Sequence, residues 1–268
     1  MTTRIRQLGF SVPDAAGLPI TADPGAHAAR VVSLLAGRLD RWLWAGGQML
    51  VDDPLSMRDA NRGDAVTTLG MGALVTAASG TFNNYPYFQM PGASLESQFR
   101  LNGDAWPDTG YAVLMTLHMP SGTPDLYSIL GRSGGNPWVR IDTDVGRVIW
   151  QQGSPGDTQN WIHLNEAIAP SEKVLMVLSY DANTEERAIY INSATAAETE
   201  TETPNIDPDG FYTYIGGNNT TNTDMSPAQF NFGDFVRIRG PLHGTPALDR
   251  LRLDLMTEFA SRYNWTLT

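Results

Sequence analysis

The 268-residue chain has no cysteine. Disulfides, thiolate zinc sites, iron–sulfur clusters and a cysteine nucleophile are therefore excluded. Lysine is nearly missing too: of 18 basic residues, Lys173 is the one lysine and the rest are arginine. No GxxxxGK[ST] occurs, which excludes a phosphate-cradling loop of that kind. Apolar runs are short, as in 111–117 and 174–178, against the roughly 20 residues of a bilayer-spanning helix. The opening MTTRIRQLGFSVPD carries arginines without an apolar segment after them, so no secretory signal is expected. Positive charge is scarce, and the formal net charge is −11. Gripping nucleic-acid phosphates or an anionic membrane needs a basic surface, so neither is an expected partner.

Hydrophobic residues make up 41% of the chain and charged residues 18%, enough to bury a sizeable core. The 26 glycines and 17 prolines punctuate it often, which suits many short strands better than long helices. Residues 1–22 show no period. They read equally as a frayed terminus or as an arm that orders against a partner. A helix is expected next, capped by Asp23 with Pro24 at its first position. Its stripe runs through Val31, Leu34, Leu35, Leu39 and Trp42, and Gly46-Gly47 ends it.

From Gln48 to Gly240 the texture is β. Runs at 111–119, 127–132, 138–142, 147–150, 161–164, 173–180, 187–192, 211–215 and 230–239 are rich in β-branched and aromatic residues. Turn clusters separate them, and WVRID alternates Val139 and Ile141 with Arg140 and Asp142. Strands at this spacing without intervening helices argue for an antiparallel sandwich. The acidic, threonine-rich stretch 193–208 reads as a solvated loop. A closing helix starts at Thr245-Pro246 and carries a stripe of Leu248, Leu251, Leu255, Met256, Phe259 and Tyr263. Trp265 is expected to pin the terminus.

The order of these pieces is similar to a known family. KVLMVLSYDANTEERAIYIN at 173–192 resembles the central hairpin of laminin G-like domains. YIGGN at 214–218 resembles the strand that follows, and FGDFVRI at 232–238 the next. The closing helix 248–265 and the turn DANRGDAVTTL at 59–69 fit the same scheme. The resemblance covers roughly 52–265. It implies an all-β fold, a concanavalin A-like two-sheet antiparallel jelly roll with N- and C-terminal helices. On this reading 48–268 form the jelly roll, and 1–47 form a separate attachment and oligomerisation segment.

Motifs for chemistry are few. Glucan hydrolases of this fold carry E-x-D-x-x-E on one strand, and no glutamate here is followed two residues later by aspartate. GRSGG at 131–135 matches G-x-S-x-G, but another strand is expected after it where a nucleophile elbow needs a helix. The four histidines, His27, His118, His163 and His243, are too widely spaced for a helix-borne zinc site. Asn205, Asp207 and Asp209 in NIDPDG resemble the start of a calcium loop. Gly216 stands where its closing glutamate belongs, and the segment reads equally as an ordinary turn. Sugar binding uses aromatics with amide hydrogen-bonders on loops. Trp150 and Trp161 are the candidate rim aromatics, with Asn160, Asn218 and Asn219 beside them.

The resemblance implies a non-catalytic structural protein of a phage virion, a capsid-decoration or tail component on the particle exterior. It would dock other virion subunits through 1–47, assemble as a homo-oligomer, need no cofactor beyond a calcium ion at the loop named above, and adhere to host glycans. The alternatives are a stand-alone carbohydrate-binding protein and a glycan hydrolase.

Overall fold

The computed structural model describes residues 24–45, 57–58, 61, 65–69, 80–90, 98–101, 106–107, 109–119, 126–132, 137–142, 147–151, 161–163, 172–201, 213–216 and 230–268. In chain order the elements are α1 (Pro24–Leu35), β1 (Leu39–Trp44), β2 (Met57–Arg58), β3 (Ala65–Leu69), β4 (Phe88–Gln89), β5 (Gln98–Leu101), β6 (Gly110–His118), β7 (Leu126–Arg132), β8 (Pro137–Asp142), β9 (Arg147–Gln151), β10 (Trp161–His163), β11 (Lys173–Asp181), β12 (Glu186–Ile191), β13 (Glu198–Thr201), β14 (Thr213–Ile215), β15 (Asn231–Arg239) and α2 (Pro246–Tyr263). All the strand pairs are antiparallel, and the strands make two sheets. Sheet A runs β1-β15-β6-β11-β12-β13, with β4 also on β15, and sheet B runs β10-β9-β8-β7-β14-β5-β3-β2. The expected all-β sandwich with a helix near each end of the chain is present.

Two apolar layers explain the strand sequences. Between the sheets lie Val113, Met115 and Leu117 of β6, Val174, Met176 and Leu178 of β11, and Phe99, Leu130, Trp150 and Ile215 of sheet B. On the other side of sheet A, Leu114, Val177, Ala188 and Val236 meet Val31 and Leu35 of α1 and Leu255, Met256 and Phe259 of α2. Sheet A is thus dry on both faces, which is why GYAVLMTLH and KVLMVLSYD read as nearly unbroken apolar runs. Helix α2 matches its expected start: Pro246 follows Thr245, whose hydroxyl accepts from the Leu248 N–H at 3.3 Å. Asn264, at φ 53°, ends it in the left-handed conformation. Trp265 then donates from Nε1 to the Thr81 carbonyl at 2.8 Å, pinning the terminus as expected.

Three expectations are corrected. The first helix stops at Leu35, because Ala36 and Gly37 both take positive φ. Leu39 and Trp42 continue the helical spacing by coincidence and belong to β1. Every residue of β1 is buried, so no period of two shows in LDRWLW. β1 pairs with β15 from Leu39↔Ile238 to Trp44↔Asp234, so the expected boundary between 47 and 48 falls after a strand of the sandwich. Lastly, Glu198–Thr201 is not loop but an edge strand on β12, from Glu186↔Thr201 to Ile189↔Glu198. An edge strand needs backbone pairing and no buried face, and ETET accordingly alternates between half-buried and exposed.

One end of the inter-sheet layer is polar. Arg41, Arg187 and Arg237 are buried there. Asp40 receives Arg237 Nε and Nη2, both at 2.6 Å, on one carboxylate oxygen and Arg239 at 3.2 Å on the other. The Arg237 guanidinium lies 4.5 Å from the Trp106 ring centroid. Removing one member of such a pair leaves the other charged and dry. Asp40→Ala is expected to lower unfolding free energy by about 3–5 kcal/mol in urea titration; a loss under about 1 kcal/mol contradicts this account of the pair. Deleting residues 1–47 removes α1 and β1, and is expected to abolish cooperative thermal melting. A truncated chain that melts cooperatively contradicts the placement of β1.

Candidate functional site

Two buried polar clusters and one sheet face hold the groups able to do chemistry. The first cluster centres on Asp234, which follows Gly233 on β15. Asp234 is fully buried, and its carboxylate accepts hydrogen bonds from Trp42 Nε1 at 2.8 Å and from the Tyr263 hydroxyl. Its backbone N–H donates to Thr116 Oγ1 at 2.8 Å. Burial raises its pKa, opposed by the Arg262 charge and by the two hydrogen bonds. The guanidinium of Arg262 sits against the rings of Tyr85, at 4.3 Å, and Trp44, at 4.6 Å. Gly233 is needed because a Cβ there would stand 2.3 Å from the Tyr263 hydroxyl oxygen. No atom of Asp234 reaches solvent, so this cluster fastens α2 to sheet A rather than meeting a substrate.

The second cluster is a serine–histidine contact. Ser179 Oγ lies 2.6 Å from His243 Nδ1 and accepts the Leu242 N–H at 2.7 Å. The serine hydroxyl and the histidine ring nitrogen thus share one hydrogen bond, whose direction follows the histidine tautomer. Burial lowers the His243 pKa, which favours the neutral ring. Both side chains are buried, and they clamp the lead-in of α2 onto β11. His27 does similar work on α1. Its Nδ1 donates to Glu258 of α2 at 2.9 Å, and its ring meets Phe259 edge-on at a centroid distance of 5.1 Å. Burial first, and the Arg262 charge second, push its pKa down to about 3.

The third place is the outward face of sheet B. Both described helices pack on sheet A, and among the described residues no helix lies on this face, although Tyr214 of β14 is buried there. On β9, Val148 and Trp150 are buried in the inter-sheet core. Alternation therefore assigns Arg147, Ile149 and Gln151 to the opposite face. The register pairs Gln151 with Trp161 of β10, and Ile149 with both His163 of β10 and Arg140 of β8. Arg140 pairs in turn with Ser128 of β7. Strands stand about 4.8 Å apart, so the row Ser128–Arg140–Ile149–His163 spans about 14 Å. Farther along, Tyr214 of β14 lies between Arg100 of β5 and Gly131 of β7, with Thr67 of β3 next in line.

The expected site residues fare unequally. Trp150 is corrected: it is fully buried between the sheets, with its ring centroid 6.4 Å from that of Tyr111. It shares the inward parity of Val148, the same alternation that WVRID displays. Trp161 occupies a position of the outward face beside Gln151. Asn160, Asn218 and Asn219, and the calcium-loop residues Asn205, Asp207 and Asp209, lie outside the described residues. Among the described residues, no three histidine, aspartate or glutamate side chains group as a metal site. Ser133 also lies outside the described residues; the next described element after β7 is the strand β8 from Pro137, where a nucleophile elbow needs a helix. The Asp234 node, the Ser179–His243 clamp and the rows of sheet B were not found from sequence. Cross-strand register carries no local signal.

No protein-family model and no curated protein sequence matches the chain. Solved structures do. A Trypanosoma rangeli sialidase in complex with a 2,3-difluoro-nononic acid aligns with a TM-score of 0.54 at 11% identity, covering 84% of this chain and 33% of its own. A mutant of that sialidase displaying trans-sialidase activity aligns at 0.55 and 11% identity, covering 90% and 38%. The botulinum neurotoxin type G receptor binding domain aligns at 0.52 and 16% identity, covering 81% and 51%. The chain thus spans about a third of the sialidases and half of the toxin domain. What these proteins share with it is the β-sandwich fold.

The buried histidines set a pH dependence. The unfolded chain protonates near pH 6.5, whereas His27 in the folded chain does so at about 3. Its stabilising contribution is complete above pH 6.5 and lost as pH falls toward 3, with a slope of about 1.4 kcal/mol per pH unit. His118 and His243, also lowered by burial, act in the same sense, and Asp234, raised by burial, acts oppositely. Urea titrations from neutral to acid pH should give a shallower slope for His27→Gln than for the unsubstituted chain; equal slopes contradict this assignment.

Proposed function

We propose that this chain is a non-catalytic glycan-binding β-sandwich that serves in adhesion. The observation that carries the reading is the outward face of sheet B, where the register sets Trp161 beside Gln151 and His163 beside Ile149. An aromatic ring next to an amide suits a saccharide, whose C–H faces stack on rings and whose hydroxyls bond to amides. The fold neighbours lend support, being sialidases, one of them in complex with sialic acid, and toxin receptor binding domains. The non-catalytic part draws on the described buried carboxylates: Asp40 and Asp234 are closed to solvent and engaged in holding the fold.

The finer form of this reading places the module, as a homo-oligomer, on the exterior of a phage particle. It draws on the resemblance to laminin G-like virion domains. Docking to other virion subunits is assigned to residues 1–47, of which 24–45 also pack against the sandwich. Repeated copies would multiply weak glycan contacts.

A glycan array with the full chain, run beside a reducing-sugar assay, tests the reading. Binding without sugar release is expected, and Trp161→Ala is expected to weaken it about tenfold while leaving the melting temperature unchanged. Steady release of sugar, or binding indifferent to Trp161→Ala, contradicts it.

A further inference from the structure

Arg262, in the last turn of α2, is only 6% exposed, and among the described residues none of its Nε, Nη1 and Nη2 atoms has a hydrogen-bond partner. The guanidinium lies over the rings of Trp44 and Tyr85. A ring face attracts the positive charge but offers no lone pair to an N–H group. Asp234 is within electrostatic reach, yet its two oxygens take the Trp42 N–H and the Tyr263 hydroxyl, and no N–H of Arg262. The Tyr263 hydroxyl oxygen is near the guanidinium but outside hydrogen-bond geometry with it. Trp44 of β1 adds a second orphan, since its Nε1 is also buried without a partner among the described residues. His27 of α1 closes the group, its ring 6.1 Å from that of Trp44. Asn83 Nδ2 donates to the Arg262 carbonyl at 3.0 Å and so ties the segment that carries Tyr85 to the end of α2.

Buried donors are almost always satisfied, by protein, by water or by an ion. Guanidinium and indole N–H groups donate and never accept, and the guanidinium keeps its charge when buried. What meets both is a negatively charged acceptor small enough to sit among aromatic rings. We propose that Arg262 and Trp44 hold a small monovalent anion, of the size of chloride, where α1, β1 and α2 meet. The ion would fix the last turn of α2 to β1, on the side of sheet A away from the glycan-binding face, and the inference does not rest on that reading. His27 Nε2, buried without a partner in the same group, identifies the competing occupant: a water molecule that donates to His27 and accepts from Arg262. Occupancy by water does not depend on which salt is present, whereas occupancy by an anion does.

Thermal melting of the full chain in sodium chloride, sodium bromide and sodium isethionate, at one ionic strength, tests this. Chloride and bromide are expected to raise the melting temperature by about 3 °C over isethionate, a bulkier anion. Trp44→Phe keeps a ring and deletes the N–H, and Arg262→Met deletes the charge. Each is expected to cut that increment to about half or less. Arg250→Gln, on the exposed side of α2, is expected to keep it. Should Arg262→Met fail to melt cooperatively, Trp44→Phe decides alone. Equal melting temperatures in the three salts, the outcome for a bound water, overturn the inference. An increment undiminished in either folded variant, the outcome for ions adsorbed elsewhere, overturns it too.

Discussion

The structure depends on sheet A being kept dry on both faces. Its central strands β6 and β11 carry apolar side chains outward as well as inward. Left open, the outward layer would expose Leu114, Leu175, Val177, Val236 and Ile238 to water at about 25 cal/mol per Å². Helices α1 and α2 must therefore cover it. The polar contacts on that side follow from this need. Asp234 with Tyr263 and Trp42, Ser179 with His243 and Leu242, and His27 with Glu258 each tie a helix, or the segment leading into one, to the sheet or to the other helix. With sheet A occupied in this way, the proposed glycan contact is assigned to sheet B.

This division of labour orders the functional reading. The carboxylates described in the interior serve packing, and burial holds Asp234 away from any solvent-borne substrate. Sheet B turns Phe99, Leu101, Val148, Trp150 and Ile215 to the core, while Tyr214, at an alternate position of β14, is buried as well. The register of β8, β9 and β10 brings arginine, glutamine, histidine and tryptophan to neighbouring positions in a chain whose formal net charge is −11. A fold shared with sialidases and toxin receptor binding domains gives such a face a scaffold without dictating what it holds.

Much of the sandwich was legible in the sequence, because half-buried strands and capped helices leave local patterns. WVRID and RAIYIN alternate, and Thr245-Pro246 announces α2. The misreadings have physical causes. LDRWLW is buried on both faces, so it lost the period of two and was absorbed into the helical stripe before it. ETET was dismissed for want of a buried face that an edge strand does not need. Trp150 was assigned to the rim by the polar residues that follow it, although parity with Val148 places it in the core. The candidate face itself was legible only in part. Trp161 was singled out, but its cross-strand partner Gln151 comes from β9, and antiparallel register across a sheet has no signature within any one strand.

Hydrogen–deuterium exchange of the full chain, with and without a saturating oligosaccharide, tests the central claim most directly. Added protection is expected in the peptides that contain β8, β9 and β10, with α1 and α2 unchanged. Protection confined to the helices and sheet A, with sheet B unaltered, contradicts the account.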